Sequence, residues 1–219
     1  METKIHQIYG LFEDGIPIED IPAYHRNVRE TKLFCEKHNI PYQMWDNEMC
    51  NQLITKYPEY KELYDTFRFK IQKADFMRYL VLFDQGGIYV DCDISPIKDI
   101  SELFKLEEFF VRWNDCKKQL PYNAVLGSKS NNKLYRDIMD HVFYSVEDKN
   151  RNDIYKKWVG RYVFQTTGHF ALQRVLKKYP NVKRLDILYI KSKGREVIGE
   201  NPLFHDENVS MWYQRGKVV

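Results

Sequence analysis

The stretch KIQKADFMRYLVLFDQGGIYVDCDISPI, residues 70–97, decides the fold. Its first half reads as a helix. Within ADFMRYLVLF (74–83) only Asp75 and Arg78 are charged, and a helix that is apolar nearly all round is a buried one. Gly86-Gly87 stops it, and a short strand, Ile88 to Val90, follows and ends in Asp91-Cys92-Asp93. A buried helix feeding a short apolar strand tipped with acids is the local pattern of an open α/β sheet, whose ligands sit beyond the carboxyl ends of the strands.

Upstream, KIHQIYG (4–10) reads as a buried strand ending at Gly10, followed by a loop rich in turn formers. An amphipathic helix is expected from Ile21 to His38, opened by Asp20 as N-cap with Pro22 in its first turn. Ile40 to Trp45 reads as a second strand, and residues 47–68 as one or two helices broken near Pro58. Downstream, EFFVRW (108–113) and NAVLG (123–127) read as strands, 131–147 and 166–178 as helices, and VKRLDILYI (182–190) as a late strand. Strand–helix–strand order with no internal repeat and no low-complexity linker predicts one Rossmann-like α/β domain, a mixed sheet flanked by helices.

The chain has 219 residues, 43% apolar and 30% charged, which suits one ordinary globular core and excludes global disorder. Sixteen Tyr and 13 Phe provide rings that serve packing or the stacking of sugars and bases. METKIHQIYG lacks a basic stretch followed by an apolar core, so no secretory leader is expected. No run reaches the ~18 apolar residues that span a bilayer. The four cysteines, Cys35, Cys50, Cys92 and Cys116, show no CxxC spacing and read as reduced thiols of a cytoplasmic protein. Net charge is +3, but residues 151–219 hold 14 Lys and Arg against 6 Asp and Glu. That basic third suits either peripheral contact with anionic lipid at the inner face of the cell membrane or a solvated surface. Without interleaved aromatics it does not read as a nucleic-acid groove.

Two carboxylates one residue apart point the same way on extended backbone. At a strand tip they suit a hard divalent ion, Mg²⁺ or Mn²⁺, which completes its shell with phosphate and water oxygens. The alternative is that Asp91 and Asp93 simply occupy a turn before Pro96. Asp75 and Arg78, spaced i,i+3, share a helix face. They are either a structural intrahelical ion pair or a binding pair in which Asp75 takes sugar hydroxyls and Arg78 takes donor oxygens.

The run ADFMRYLVLFDQGGIYVDCDISPI resembles the signature of the DXD sugar transferases grouped as glycosyltransferase family 32, with its bacterial capsular-polysaccharide transferases and fungal mannosyltransferases. It is also similar to the catalytic core of the large clostridial glucosylating toxins. The resemblance implies a single GT-A-type domain over 1–219, with a nucleotide-sugar-binding half (1–100) and an acceptor-binding half with a C-terminal closing loop (101–219). It assigns donor binding to Asp75, Arg78, Tyr89 and Asp91, and direct metal contact to Asp93. The first strand resembles one that usually ends Ile-Trp-Gly, with Tyr9 in place of the Trp that stacks on the base.

Near the end, ENVSMW repeats the toxins' E-x-x-S-x-W pattern. The resemblance places Glu207 and Ser210 at the metal and the Trp212 indole on the diphosphate, with His205 an alternative ligand. Asn123, in NAVLGSKSN, falls where an Asn near the donor is common. TTGHFALQRVL (166–176) matches a Thr-Gly-Pro helix start, with His169 standing where Pro is usual. The implied activity is a metal-dependent, retaining transfer of a sugar from a nucleoside-diphosphate sugar, UDP favoured, to a hydroxyl of a saccharide or lipid-linked saccharide acceptor. The rivals are an aspartyl phosphatase, which also carries D-x-D behind a strand, and a nucleotide-sugar-binding protein without turnover.

Overall fold

A computed structural model describes residues 1–11, 15–113, 120–148, 159–192 and 195–209. Strands β1 (Ile5–Ile8), β2 (Tyr42–Trp45) and β3 (Gly87–Val90) run parallel. Strand β6 (Leu120–Ser128) lies antiparallel to β3, β5 (Glu108–Trp113) antiparallel to β6, and β7 (Lys183–Leu185) parallel to β5. The sheet order is β2-β1-β3-β6-β5-β7, so strands from both sides of residue 100 build one sheet.

Alternation along the central strands divides the core into two layers. Tyr89, Phe110 and Leu126 face a layer built with helices α2 (Asn47–Ile54), α3 (Pro58–Thr66), α4 (Lys70–Gln85), α5 (Lys133–Glu147) and α7 (His169–Leu176). Helix α6 (Val159–Thr166) packs on the same side against α4, α5 and α7. Ile88, Val90, Phe109, Val111 and Val125 face the other layer, with Cys35 from α1 (Pro22–His38) and Phe204.

That second layer is closed by a four-stranded sheet the sequence pattern did not reveal. Its order is β4 (Ile94–Pro96), β10 (Phe204–Asp206), β8 (Leu188–Ser192), β9 (Arg195–Ile198). The apolar run 182–190 accordingly divides between the two sheets, β7 in one and β8 in the other. Helix 166–178 starts at His169 instead, because Thr166 closes α6. Helix α1 is not capped by Asp20, which lies in the preceding 3-10 turn. Ile21 fills the cap position with φ −114° and ψ 93°, the extended geometry that a following Pro imposes.

The polar residues of buried β1 tie the parallel strands together. The Trp45 indole N–H donates to His6 Nδ1 at 3.0 Å, so His6 Nε2 carries the proton and donates to the Gly86 carbonyl at 2.9 Å. Burial lowers the His6 pKa to about 4, which keeps the ring neutral. Gln7 donates to the Asp91 carbonyl at 3.2 Å and accepts from the Tyr42 hydroxyl at 2.9 Å. Glycine is required at 87: φ is +92°, and a Cβ there would lie 2.5 Å from the Lys4 carbonyl oxygen.

Candidate active site

Beyond Val90 the backbone is not extended. Ile94 N–H donates to the Asp91 carbonyl at 3.1 Å, closing a tight turn over 91–94. The two carboxylates are therefore presented by a turn, and they have separate environments.

Asp91 faces Arg78. Its Oδ1 lies 3.3 Å from Arg78 Nη1 and accepts from the Tyr89 hydroxyl at 2.5 Å. The guanidinium also reaches Asp75 Oδ1 at 3.2 Å and the Asn123 carbonyl at 2.7 Å, and its carbon stands 4.9 Å from the Tyr89 ring centre. Asp75 is saturated: Asn123 Nδ2 donates to Oδ1 at 2.9 Å and Thr167 Oγ1 to Oδ2 at 2.8 Å. Burial pulls the Arg78 pKa down, but Asp91, Tyr89 and Asp75 together raise it above the usual arginine value. Burial raises both carboxylates while Arg78 opposes that shift. Asp75 and Arg78 are buried, whereas the Asp91 side chain is 28% exposed. The inner pair fixes position and Asp91 presents charge to the outside. The fold thus brings Asp75, Arg78, Tyr89 and Asp91, joined by Asn123 through the pairing of β6 with β3, into one contact network.

Asp93 is buried and turned toward the last strand. Its Oδ2 accepts from Val209 N–H at 2.9 Å and its carbonyl from Glu207 N–H at 3.1 Å. Burial, reinforced by the Asp91 charge, pushes its pKa up to about 7. The sequence reading missed its neighbour, Asp206. This side chain is fully buried; Oδ1 accepts from Asn208 N–H at 2.6 Å, and Oδ2 has no hydrogen-bond partner among the described residues. Burial first and the Asp93 charge second raise its pKa well above the carboxylate range. A signal was present: in PLFHDEN, Asp206 shares a strand face with buried Phe204.

Acids whose burial and mutual proximity disfavour the charged form fit a divalent cation, which would restore it. Among the described residues no three His, Cys, Asp or Glu side chains converge into a finished cage. The fit is therefore to an ion such as Mg²⁺ or Mn²⁺, which takes one or two carboxylates and completes its shell with phosphate and water.

The other expected residues divide. Glu207 lies beside Asp93, but its carboxylate is bound by α1: Arg26 Nη2 reaches Oε2 at 2.5 Å, Arg26 Nε donates to Oε1 at 2.9 Å, and Asn27 Nδ2 donates to Oε1 at 2.9 Å. His205 does not join the carboxylates. It alternates to the opposite face of β10 from Asp206 and stacks on Tyr189 at 5.3 Å between ring centres. Tyr9 stands at the carboxyl end of β1, its hydroxyl donating to the Ile16 carbonyl at 2.7 Å and its ring edge-on to Tyr24 at 6.1 Å. Ser210 and Trp212 lie outside the described residues.

Residues 22–110, which contain the helix, the turn and both acids, match the family described as glycosyltransferase sugar-binding region containing DXD motif. That match takes in 89 of the chain's 219 residues. An uncharacterized glycosyltransferase of Acanthamoeba polyphaga mimivirus is 34% identical over 149 residues, covering 66% of this chain and 56% of the relative. A mannosyl phosphorylinositol ceramide synthase of Saccharomyces cerevisiae is 25% identical over 178 residues, covering 80% of this chain and 41% of the relative. The chain thus spans about half or less of the length of these curated relatives. Among solved structures, the PaToxG glycosyltransferase superposes with a TM-score of 0.46 at 17% identity, over 81% of this chain and 69% of that one. The sugar-binding region ends within β5, so Asp206 and the four-stranded sheet's later strands lie beyond it.

Proposed function

We propose that the protein is a metal-dependent glycosyltransferase that moves a hexosyl group from a nucleoside-diphosphate sugar to an acceptor hydroxyl. The observation that carries this reading is the single guanidinium of Arg78 joining Asp75 on α4 to Asp91 at the tip of β3. A buried ion-pair chain of this kind adds little net stability, yet it sets a charged, preorganised edge facing outward where an α/β sheet binds ligands.

In this scheme Asp91 and Asp93, supported by Asp206, would hold a Mn²⁺ or Mg²⁺ ion. Such an ion supplies Lewis-acid neutralisation of charge on a departing diphosphate. Arg78 opposes the upward push of burial on the Asp91 pKa and orients its carboxylate, and the Tyr89 hydroxyl fixes the same oxygen. The 207–209 backbone holds Asp93 through two N–H groups, with Glu207 tethered to α1. Charge grows on the diphosphate as the C1–O bond breaks and the new C1–O bond to the acceptor forms. The acceptor hydroxyl proton leaves with the diphosphate oxygen. Front-face displacement of this form retains the anomeric configuration, and an inverted product seen by NMR would exclude it.

The basic final third suits an anionic acceptor or a peripheral position on an anionic membrane. The relatives' names favour a glycolipid over a surface polysaccharide: one is a mannosyl phosphorylinositol ceramide synthase and another, 40% identical over 139 residues, an inositol phosphoceramide mannosyltransferase of Schizosaccharomyces pombe. Among the described residues no helix is long and apolar enough to cross a membrane. The test is a panel of UDP- and GDP-sugars with Mn²⁺, reading released nucleotide, with Asp93→Ala as control. Release is expected from one donor class and only with metal; release that survives both EDTA and the substitution would remove the metal-bridged scheme.

A further inference from the structure

The turn between α6 and α7 is fixed to the site by one face of α4. Gln72 Nε2 donates to Thr166 Oγ1 at 3.0 Å, Asp75 Oδ2 accepts from Thr167 Oγ1 at 2.8 Å, and the Tyr79 hydroxyl donates to the Thr167 carbonyl at 2.8 Å. These helix positions follow i, i+3, i+7, so they form one stripe. Asp75 also contacts Asn123, whose neighbour Ala124 accepts from Asp91 N–H at 2.8 Å. The turn therefore stands at the same end of the sheet as the carboxylates, across Asp75 from them.

Two residues beyond Thr167 the chain places an imidazole among aromatic rings. The His169 ring centre lies 4.3 Å from that of Phe170 and 4.4 Å from that of Phe164, and all three side chains are half-buried. Neither His169 nitrogen has a hydrogen-bond partner among the described residues. Burial lowers the His169 pKa to about 4. At neutral pH the ring is neutral, offering one lone pair and one N–H. Packing alone does not call for an imidazole here, and its partial exposure leaves its nitrogens open to an outside partner. The position is the first of α7, where Pro is well tolerated, so the helix does not need the imidazole.

We propose that His169 and Phe170 form the acceptor subsite, stacking on the C–H face of a polyhydroxylated six-membered ring while the imidazole exchanges a hydrogen bond with a ring hydroxyl. The proposal rests on the glycosyltransferase reading. Aromatic faces with one polar atom at their edge match a ring that is apolar on its face and polar at its rim. With the donor's phosphates at the 91–93 turn and its sugar beside Asp75, a ring met on the far side of Asp75, at the 166–169 turn, is the second substrate.

The test is saturation-transfer NMR on the full chain with myo-inositol and methyl α-mannopyranoside as probes, alongside acceptor-independent donor hydrolysis with Mn²⁺. His169→Ala and His169→Pro are compared with wild type, the proline variant guarding against loss of folding. Both variants are expected to weaken binding of the preferred probe at least tenfold while donor hydrolysis stays within twofold. Preference for inositol would assign the ring to a phospholipid headgroup, and preference for the mannoside to a glycan. Unchanged probe binding in the variants, or parallel loss of donor hydrolysis, would overturn the subsite. A wild type that fails to use any donor yet shows His169-dependent ring binding would sink the transferase reading and leave the subsite standing.

Discussion

Replacing Asp93 with Asn should stabilise the metal-free protein while abolishing its activity. The folded state holds this carboxyl with a pKa raised from 3.8 to about 7, because burial and the Asp91 charge disfavour ionisation. The unfolded chain releases the same proton near the ordinary value. Between those two pH values the folded state binds more protons than the unfolded one, so stability falls as pH rises, by about 1.4 kcal/mol per unit for a fully titrating group. The ceiling is roughly 4 kcal/mol above pH 7, and sharing of protons with Asp206 brings the expectation nearer ~2 kcal/mol. Asn keeps an oxygen for Val209 N–H and removes the titration. In EDTA, urea unfolding of the variant at pH 7.5 should show a stability gain of about 1–3 kcal/mol, falling to roughly two-fifths of that at pH 5 and vanishing only below the ordinary carboxylate value. Adding Mn²⁺ should stabilise wild type and leave the variant unmoved. A variant less stable than wild type at both pH values, or one with the wild-type pH slope, would refute the argument that Asp93 is a strained acid awaiting a cation.

Arg78→Lys keeps the charge but cannot fork between Asp75 and Asp91, and should lower kcat/KM for the donor at least ~100-fold, measured in steady state; a loss below fivefold would count against the bridging role. Arg26→Ala removes a partly exposed ion pair with Glu207, so unfolding free energy should change by less than ~1 kcal/mol while the donor KM rises several-fold as the 207–209 segment loosens. An unchanged KM would show that the tether is only structural. Gly87→Ala forces a Cβ against the Lys4 carbonyl and a side chain into φ +92°; it should cost more than ~2 kcal/mol in urea unfolding, and a smaller cost would mean that β1 and β3 can separate locally.

The parts of the site built by contiguous residues were readable in the chain, because helical and strand periods fix which side chains meet. Asp75 and Arg78 lie on one turn of α4, and Gly86-Gly87 carries the chain on to Tyr89 and Asp91, so all four fall within seventeen residues. What depends on distant pairing was not readable. Strands β4 and β10 are three residues each, too short to show a period, and they pair only because the second layer needs a cover. Asp206 and the Arg26–Glu207 tether arrive by that pairing. The sequence leaves the 91–94 turn open as the alternative to an extended tip: Asp and Cys tolerate both backbones, and the hydrogen bond from Ile94 decides for the turn. His205 and Asp206 illustrate the same limit, since a one-residue register choice sends one to the carboxylates and its neighbour to Tyr189.

Calorimetric titration of the wild-type protein with UDP and, in parallel, GDP bears most directly on the claim that the acids at the tip of β3 bind a diphosphate through a cation. Binding of one nucleotide at micromolar concentrations with Mn²⁺, lost in EDTA and in Asp93→Asn, is the predicted result. Equal affinity with and without metal, or full affinity in the Asn variant, would contradict it.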